Sequence, residues 1–150
     1  MYKKTIRLTV RVKVKKSGVA EHYQSGLACL RQYRLKDAIA DFDKVLQLKP
    51  DDVATYFFRG VAHNKLHKYA EAIADFTEAI KLRPENPGAY SNRGDAYLAL
   101  GEYAKAMADF AKVIEWEPNN KMAYDKLRLA QGLLSSKSCL ELVKPSLTGI

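Results

Sequence analysis

Two hydrophobic rhythms run along the chain. Tyr90, Arg93, Gly94, Tyr97 and Leu98 fall at helical spacing, and Gly101 then interrupts them. A second run resumes from Tyr103 through Ala106, Met107, Phe110, Val113 and Ile114 to Trp116. The pattern predicts two amphipathic helices joined by a short turn. Pro118 ends the second helix, because the residue before a proline is driven out of the α region. Asn119 and Asn120 suit a turn into a further helix. Residues 5–15 follow the other rhythm. Thr5, Arg7, Thr9, Arg11, Lys13 and Lys15 alternate with Ile6, Leu8, Val10, Val12 and Val14. Period 2 with many β-branched residues predicts a strand.

The helical pattern recurs. Gly26, Gly60 and Gly94 are 34 residues apart, as are Ala38, Ala72 and Ala106; Phe42, Phe76 and Phe110; and Pro50, Pro84 and Pro118. The tetrad Ile39-Ala40-Asp41-Phe42 returns as Ile73-Ala74-Asp75-Phe76 and as Met107-Ala108-Asp109-Phe110. The repeats therefore run 19–52, 53–86 and 87–120, with a partial fourth unit as a capping helix over 121–134. The domain reading is a basic strand-like arm at 1–18, a repeat domain at 19–134 and a C-terminal tail at 135–150. The tail carries Leu140, Leu142 and Val143 before Pro145, a short and weakly helical set. The small residues have a packing reason: glycine lets the paired helix approach, alanine leaves matching room, and phenylalanine fills the gap between hairpins. A single hairpin cannot bury both apolar faces, so stacking is obligatory.

This pattern resembles the tetratricopeptide repeat family. Tyr90, Gly94, Tyr97, Ala106, Phe110 and Pro118 carry nearly the whole signature in the third repeat. The second has His63 at the later aromatic position, and the first has His22 and Cys29 at the two aromatic positions. The resemblance implies an all-α fold, a right-handed superhelical solenoid of helix-turn-helix repeats, with the strand-like arm attached. The family usually has an aliphatic residue before the glycine, where this chain has Ser25, Arg59 and Arg93. An arginine on a packed face needs a partner. Forward pairs Asp41–Arg59 and Asp75–Arg93 are expected, with Arg59–Asp75 and Arg93–Asp109 within repeats as the rival.

The resemblance also implies a concave groove lined by first helices. Face counting places Tyr23, Leu27, Leu30 and Arg31 there in the first repeat. Phe57, Phe58, Val61, Asn64 and Lys65 follow in the second, and Ser91, Asn92, Asp95 and Leu98 in the third. An exposed patch of Tyr23, Leu27, Phe57, Phe58 and Val61 calls for a cover. The bland reading is that one or two of these complete the core. Some family members clamp carboxylates of acidic chaperone tails with Lys and Asn on successive first helices. Here those positions hold Tyr23, Leu27, Phe58, Gly88 and Asn92. One unit later they hold Phe57, Val61, Asn92, Met122 and Lys126. A carboxylate-tail clamp is therefore not expected. An apolar-anchored peptide or partner helix suits the side chains instead.

Charge changes the picture at one end. The 150 residues carry 25 Lys+Arg against 17 Asp+Glu, a net charge of +8. Lys3, Lys4, Arg7, Arg11, Lys13, Lys15 and Lys16 supply seven of these cations with no acid beside them, and residues 19–134 are balanced. The arm could contact RNA, DNA or an anionic membrane, although no aromatic interleaves the basic residues from Thr5 to Lys16 for base stacking. Such an arm also fits a solvated tail, a dimer strand, a groove plug or a transit peptide. A homo-oligomer through residues 1–18 or a scaffold subunit are the further readings. No apolar run suggests a membrane span. The N-terminus lacks the apolar core of a secretory signal. Cys29 and Cys139 form no disulfide framework, so a cytoplasmic setting is expected. His63 and His67 are four apart, but His67 falls in the predicted turn and no HExxH glutamate accompanies them. No catalytic constellation, metal site or cofactor loop is read from the sequence. The expected function is a non-catalytic interaction module.

Overall fold

A computed structural model describes residues 18–143, with side chains to residue 140. The strand-like arm therefore lies outside the described residues. Seven α-helices account for the regular structure among the described residues, which contain no strand. They are α1 (18–31), α2 (Leu35–Leu48), α3 (Val53–Lys65), α4 (Tyr69–Leu82), α5 (Pro87–Ala99), α6 (Tyr103–Trp116) and α7 (Lys121–Val143). The chain divides into two compact units, the first ending at Pro84 and the second beginning at Glu85.

The turns inside the three hairpins have one geometry. Tyr33, His67 and Gly101 have φ of 60°, 59° and 73°. The following residues, Arg34, Lys68 and Glu102, donate backbone N–H groups to the carbonyls of Cys29, His63 and Tyr97 at 2.8–2.9 Å. The left-handed residues themselves donate to Leu30, Asn64 and Leu98. These paired bonds satisfy carbonyls that a helix end leaves open. Only Gly101 adopts the left-handed conformation without a Cβ penalty. The helix starts are equally regular. Asp52 and Asn86 cap α3 and α5 by accepting from the N–H of Thr55 and Ala89, at 3.0 and 3.1 Å. Asn120 accepts from Ala123 at 3.0 Å at the start of α7. The caps are 34 residues apart, a periodicity the sequence reading did not use.

The core of each hairpin is a phenylalanine seated on a glycine. Phe42, Phe76 and Phe110 are fully buried. A Cβ at Gly26, Gly60 or Gly94 would lie 2.6, 2.9 or 2.7 Å from the ring of its own hairpin's phenylalanine. The glycine thus admits a ring from within the same repeat. Phe42 also stacks on Phe58 of the next hairpin, with centroids 6.5 Å apart.

α7 corrects the expected boundary at residue 134: it continues to Val143 without a break. Ser135 and Ser136 donate their hydroxyls to the carbonyls of Gln131 and Gly132, one turn back on the same helix. No proline occurs between Pro118 and Pro145.

Candidate functional site

The first helices of unit 1 are α1 and α3. Tyr23, Leu27, Leu30 and Phe58 are half-buried and pack against the buried cluster of Cys29, Ala38 and Phe42. The Tyr23 ring meets Phe42 and Phe58, each with centroids 6.3 Å apart. Phe57 meets Phe58 at 5.4 Å and Phe76 at 5.9 Å. These aromatics belong in part to the core, as the bland reading had it. Val61 and Asn64 are half-buried on the same helix as Phe57 and Phe58, and Lys65 is exposed. The Lys65 ammonium lies 5.5 Å from the Tyr33 ring centroid. Tyr33 is 65 % exposed and was not singled out from the sequence. Burial, helped by the Asp52 carboxylate, pushes the Tyr23 phenol up, so it stays neutral near pH 7.

In unit 2, Asn92 donates its side-chain N–H to the Gly88 carbonyl at 2.8 Å. Asp95 accepts from Lys126 Nζ at 2.7 Å. Lys126, the lone cation left by the shifted clamp pattern, therefore already has a carboxylate partner. Its Nζ also lies 5.8 Å from the Phe110 ring centroid. The arm residues Lys3, Lys4, Arg7, Arg11, Lys13, Lys15 and Lys16 lie outside the described residues.

Within unit 1 the expected forward pair Asp41–Arg59 does not form. Arg59 Nε and Nη2 donate to Asp75 Oδ2 and Oδ1 at 3.0 and 2.6 Å. Arg93 makes the same fork on Asp109, at 2.9 and 2.7 Å. The rival arrangement is correct: the pair closes within its own hairpin, at the separation of 16 residues that seats Phe on Gly. In the first repeat Ser25 Oγ donates to Asp41 at 2.6 Å and His22 Nδ1 lies 3.1 Å from it. Ser25 and His22 thus stand where later repeats use Arg and Tyr. The third nitrogen of Arg59 reaches back across the repeat boundary to Asp43 at 2.6 Å, a residue the sequence reading passed over. Burial works against the Arg59 charge, but Asp75 and Asp43 outweigh it and hold the guanidinium charged. Tyr56 and Tyr90 lie under Arg59 and Arg93 at 5.6 and 5.4 Å.

His63 lies next to this network. Its Nε2 is 3.8 Å from Asp75, and its buried Nδ1 has no hydrogen-bond partner among the described residues. Burial pushes the imidazole below its ordinary 6.5; Asp75 opposes the shift and Arg59 adds to it. A histidine held neutral by the fold binds its proton more readily when unfolded. Its contribution is therefore complete above pH 6.5 and is lost as pH falls from there toward the depressed folded value. The wild-type chain is expected to lose up to about 1.4 kcal/mol per pH unit more than His63→Tyr in that window, read by urea denaturation between about pH 7.5 and 5. Parallel pH profiles for the two proteins would refute this.

Among the described residues, no group of three His, Cys, Asp or Glu side chains could hold a metal ion. No helix there is long and apolar enough to cross a membrane. His67, in the turn, shares a 2.7 Å hydrogen bond with the Tyr69 hydroxyl.

Two family profiles match the chain: "TPR repeat" over residues 64–101 and "Tetratricopeptide repeat" over 87–120. No curated protein matches. Solved structures do. The first TPR domain of human RPAP3 is 31 % identical with a TM-score of 0.74, the match covering 80 % of this chain and 94 % of that one. The first TPR domain of Spaghetti (RPAP3), bound to the HSP90 peptide SRMEEVD, is 29 % identical with a TM-score of 0.76, covering 79 % and 94 %. The second TPR domain of human RPAP3, in complex with the HSP70 peptide SGPTIEEVD, is 26 % identical with a TM-score of 0.73, covering 78 % and 98 %.

Proposed function

Because the chain belongs to the tetratricopeptide repeat family, we propose that it is a non-catalytic adaptor that holds an apolar-anchored peptide or partner helix. Its architecture is that of a protein–protein interaction module. The binding face is the α1–α3 side of unit 1, where Tyr23, Leu27, Leu30, Phe57, Phe58 and Val61 are each only half-buried. That half-burial carries the reading: rings already fixed by Phe42 and Phe76 offer apolar area at little further entropy cost. Asn64 and Lys65 supply polar contacts at one end of this face. In unit 2, Asn92 and Asp95 are the proposed polar contacts.

Two structural neighbours hold acidic chaperone peptides, and the same ligand is the clearest test for this chain. The engagement of Lys126 by Asp95 supports the absence of a carboxylate clamp. Titration with SRMEEVD to about 1 mM, a concentration at which even weak clamping gives a signal, is expected to produce no binding. Saturable binding would overturn that exclusion. Peptides selected from a random library on the full chain are expected to carry large apolar anchors. They should lose at least about tenfold in affinity to Val61→Lys. Selected peptides indifferent to Leu27→Lys and Val61→Lys would place the binding surface elsewhere.

A further inference from the structure

One side of α7 is buried. Ala123 and Ala130 are nearly inaccessible, and Leu127 packs on the cluster of Ala106, Phe110 and Ala130. The adjoining side is bare: Met122, Leu129, Leu133 and Leu140 are 65, 55, 36 and 65 % exposed. Lys126 and Ser136 complete this stripe. Its steps of four, three, four, three and four residues are those of a coiled-coil seam.

The order of residue types says what covers it. Met122, Lys126, Leu129, Leu133, Ser136 and Leu140 read apolar, polar, apolar, apolar, polar, apolar. The sequence of types is the same in both directions about residue 131. An antiparallel copy of the helix therefore meets like with like, which is the requirement of an isologous two-fold contact. Met122 faces Leu140 of the second copy, Leu129 faces its Leu133, and Lys126 faces its Ser136. We propose that α7 is a homodimerisation surface, joining two copies of this chain through antiparallel α7 helices about a two-fold axis beside Gln131.

Four further observations fit that contact. Gly132 has no atom within 4 Å of where a Cβ would stand, so the flank beside the axis is open for close approach. Asp125, Arg128, Leu129, Leu133 and Ser136 line a shallow hollow around it. The lysine in the seam carries no unmatched charge, since Lys126 is paired with Asp95. Lys137, on the edge that meets Lys126 of the second copy, has its ammonium 5.9 Å from the Tyr103 ring centroid of its own chain. The seam spans roughly 27 Å of helix at about 1.5 Å per residue. One helix pair of that length lies at the low end of stable interface sizes, so the dimer is weak and concentration-dependent.

Sedimentation equilibrium of the full chain up to about 1 mM is expected to show a monomer–dimer equilibrium, the weak regime such a small contact implies. Leu129→Lys and Leu133→Glu each weaken self-association at least about tenfold while leaving helical circular dichroism unchanged. An equimolar mixture of the two variants restores the dimer. The lysine introduced by Leu129→Lys in one chain then faces the glutamate introduced by Leu133→Glu in the other, while the remaining leucines still meet. A wild-type chain that stays monomeric would overturn the proposal, as would a dimer untouched by both variants, which would point to residues 1–17. A mixture that remains monomeric would overturn the antiparallel register.

Discussion

Replacing Arg59 with alanine is expected to cost about 3–5 kcal/mol of folding stability, the penalty for stranding a buried carboxylate. Asp75 is 4 % exposed and has the Arg59 fork as its principal partner. Without it the carboxylate must be desolvated alone or take up a proton. Asp43→Ala removes the other end of the same bridge, but the Asp43 side chain is 47 % exposed and returns to water. Its loss is expected to cost less than about 1 kcal/mol, as at a solvent-screened pair. Arg59→Lys keeps the charge but not the planar fork and falls between the two. Urea midpoints of the three variants at neutral pH check the order. An Arg59→Ala loss no larger than that of Asp43→Ala would show that the Asp75 carboxylate is effectively solvated.

Gly26→Ala is expected to destabilise by about 1–3 kcal/mol, the usual cost of overfilling a packed site. The sign is the point. At an open helical position the same change gains about 1 kcal/mol from helix propensity alone. At Gly26 the new Cβ would lie 2.6, 2.9 and 3.0 Å from three carbons of the Phe42 ring. That ring is fully buried and bounded by Tyr23 and Phe58, so it cannot swing aside. Phe42→Leu in the same chain is expected to recover part of the loss, a positive coupling between contacting sites. Gly132→Ala provides the internal control, since nothing lies near its Cβ position. Measured where the chain is monomeric, it should stabilise. If Gly26→Ala also stabilised, the phenylalanine would not be seated on that glycine.

The period of 34 made the helices, their order and the Gly, Ala and Phe columns legible, because each column repeats a packing demand. The columns did not say which aspartate an arginine meets. Asp41 and Asp75 occupy equivalent places, and both forward and local pairing satisfy the spacing. The crossing of two helices in one hairpin decides it, and that angle is not written in any single position. Ser25 and His22 held the available hint: both can donate to Asp41 within the first repeat. Face counting placed Phe57 and Phe58 on the first-helix surface but could not weigh the reach of a ring. Phe58 turns far enough to stack on Phe42, so a residue counted as groove is also core. The reach of α7 past residue 134 has no signal in its serines: they are poor helix formers on average, and their hydroxyl bonds to the preceding turn accompany the helix rather than hold it.

The caps at Asp52, Asn86 and Asn120 fix where one repeat can be separated from the next. Each cap is the last residue of one sequence period, yet its carboxylate or amide oxygen serves the first helix of the following period. The unit that could be cut out and grafted whole therefore begins one residue earlier than the period suggests, at 52 rather than 53. A junction placed between 52 and 53 would separate a helix from its own start signal, whereas one placed before 52 would carry that signal along. Internal duplication or loss of a whole period keeps a capping residue before every first helix in any phase, because 52, 86 and 120 all hold one, whereas a repeat grafted outside the array keeps its start signal only when cut before the cap.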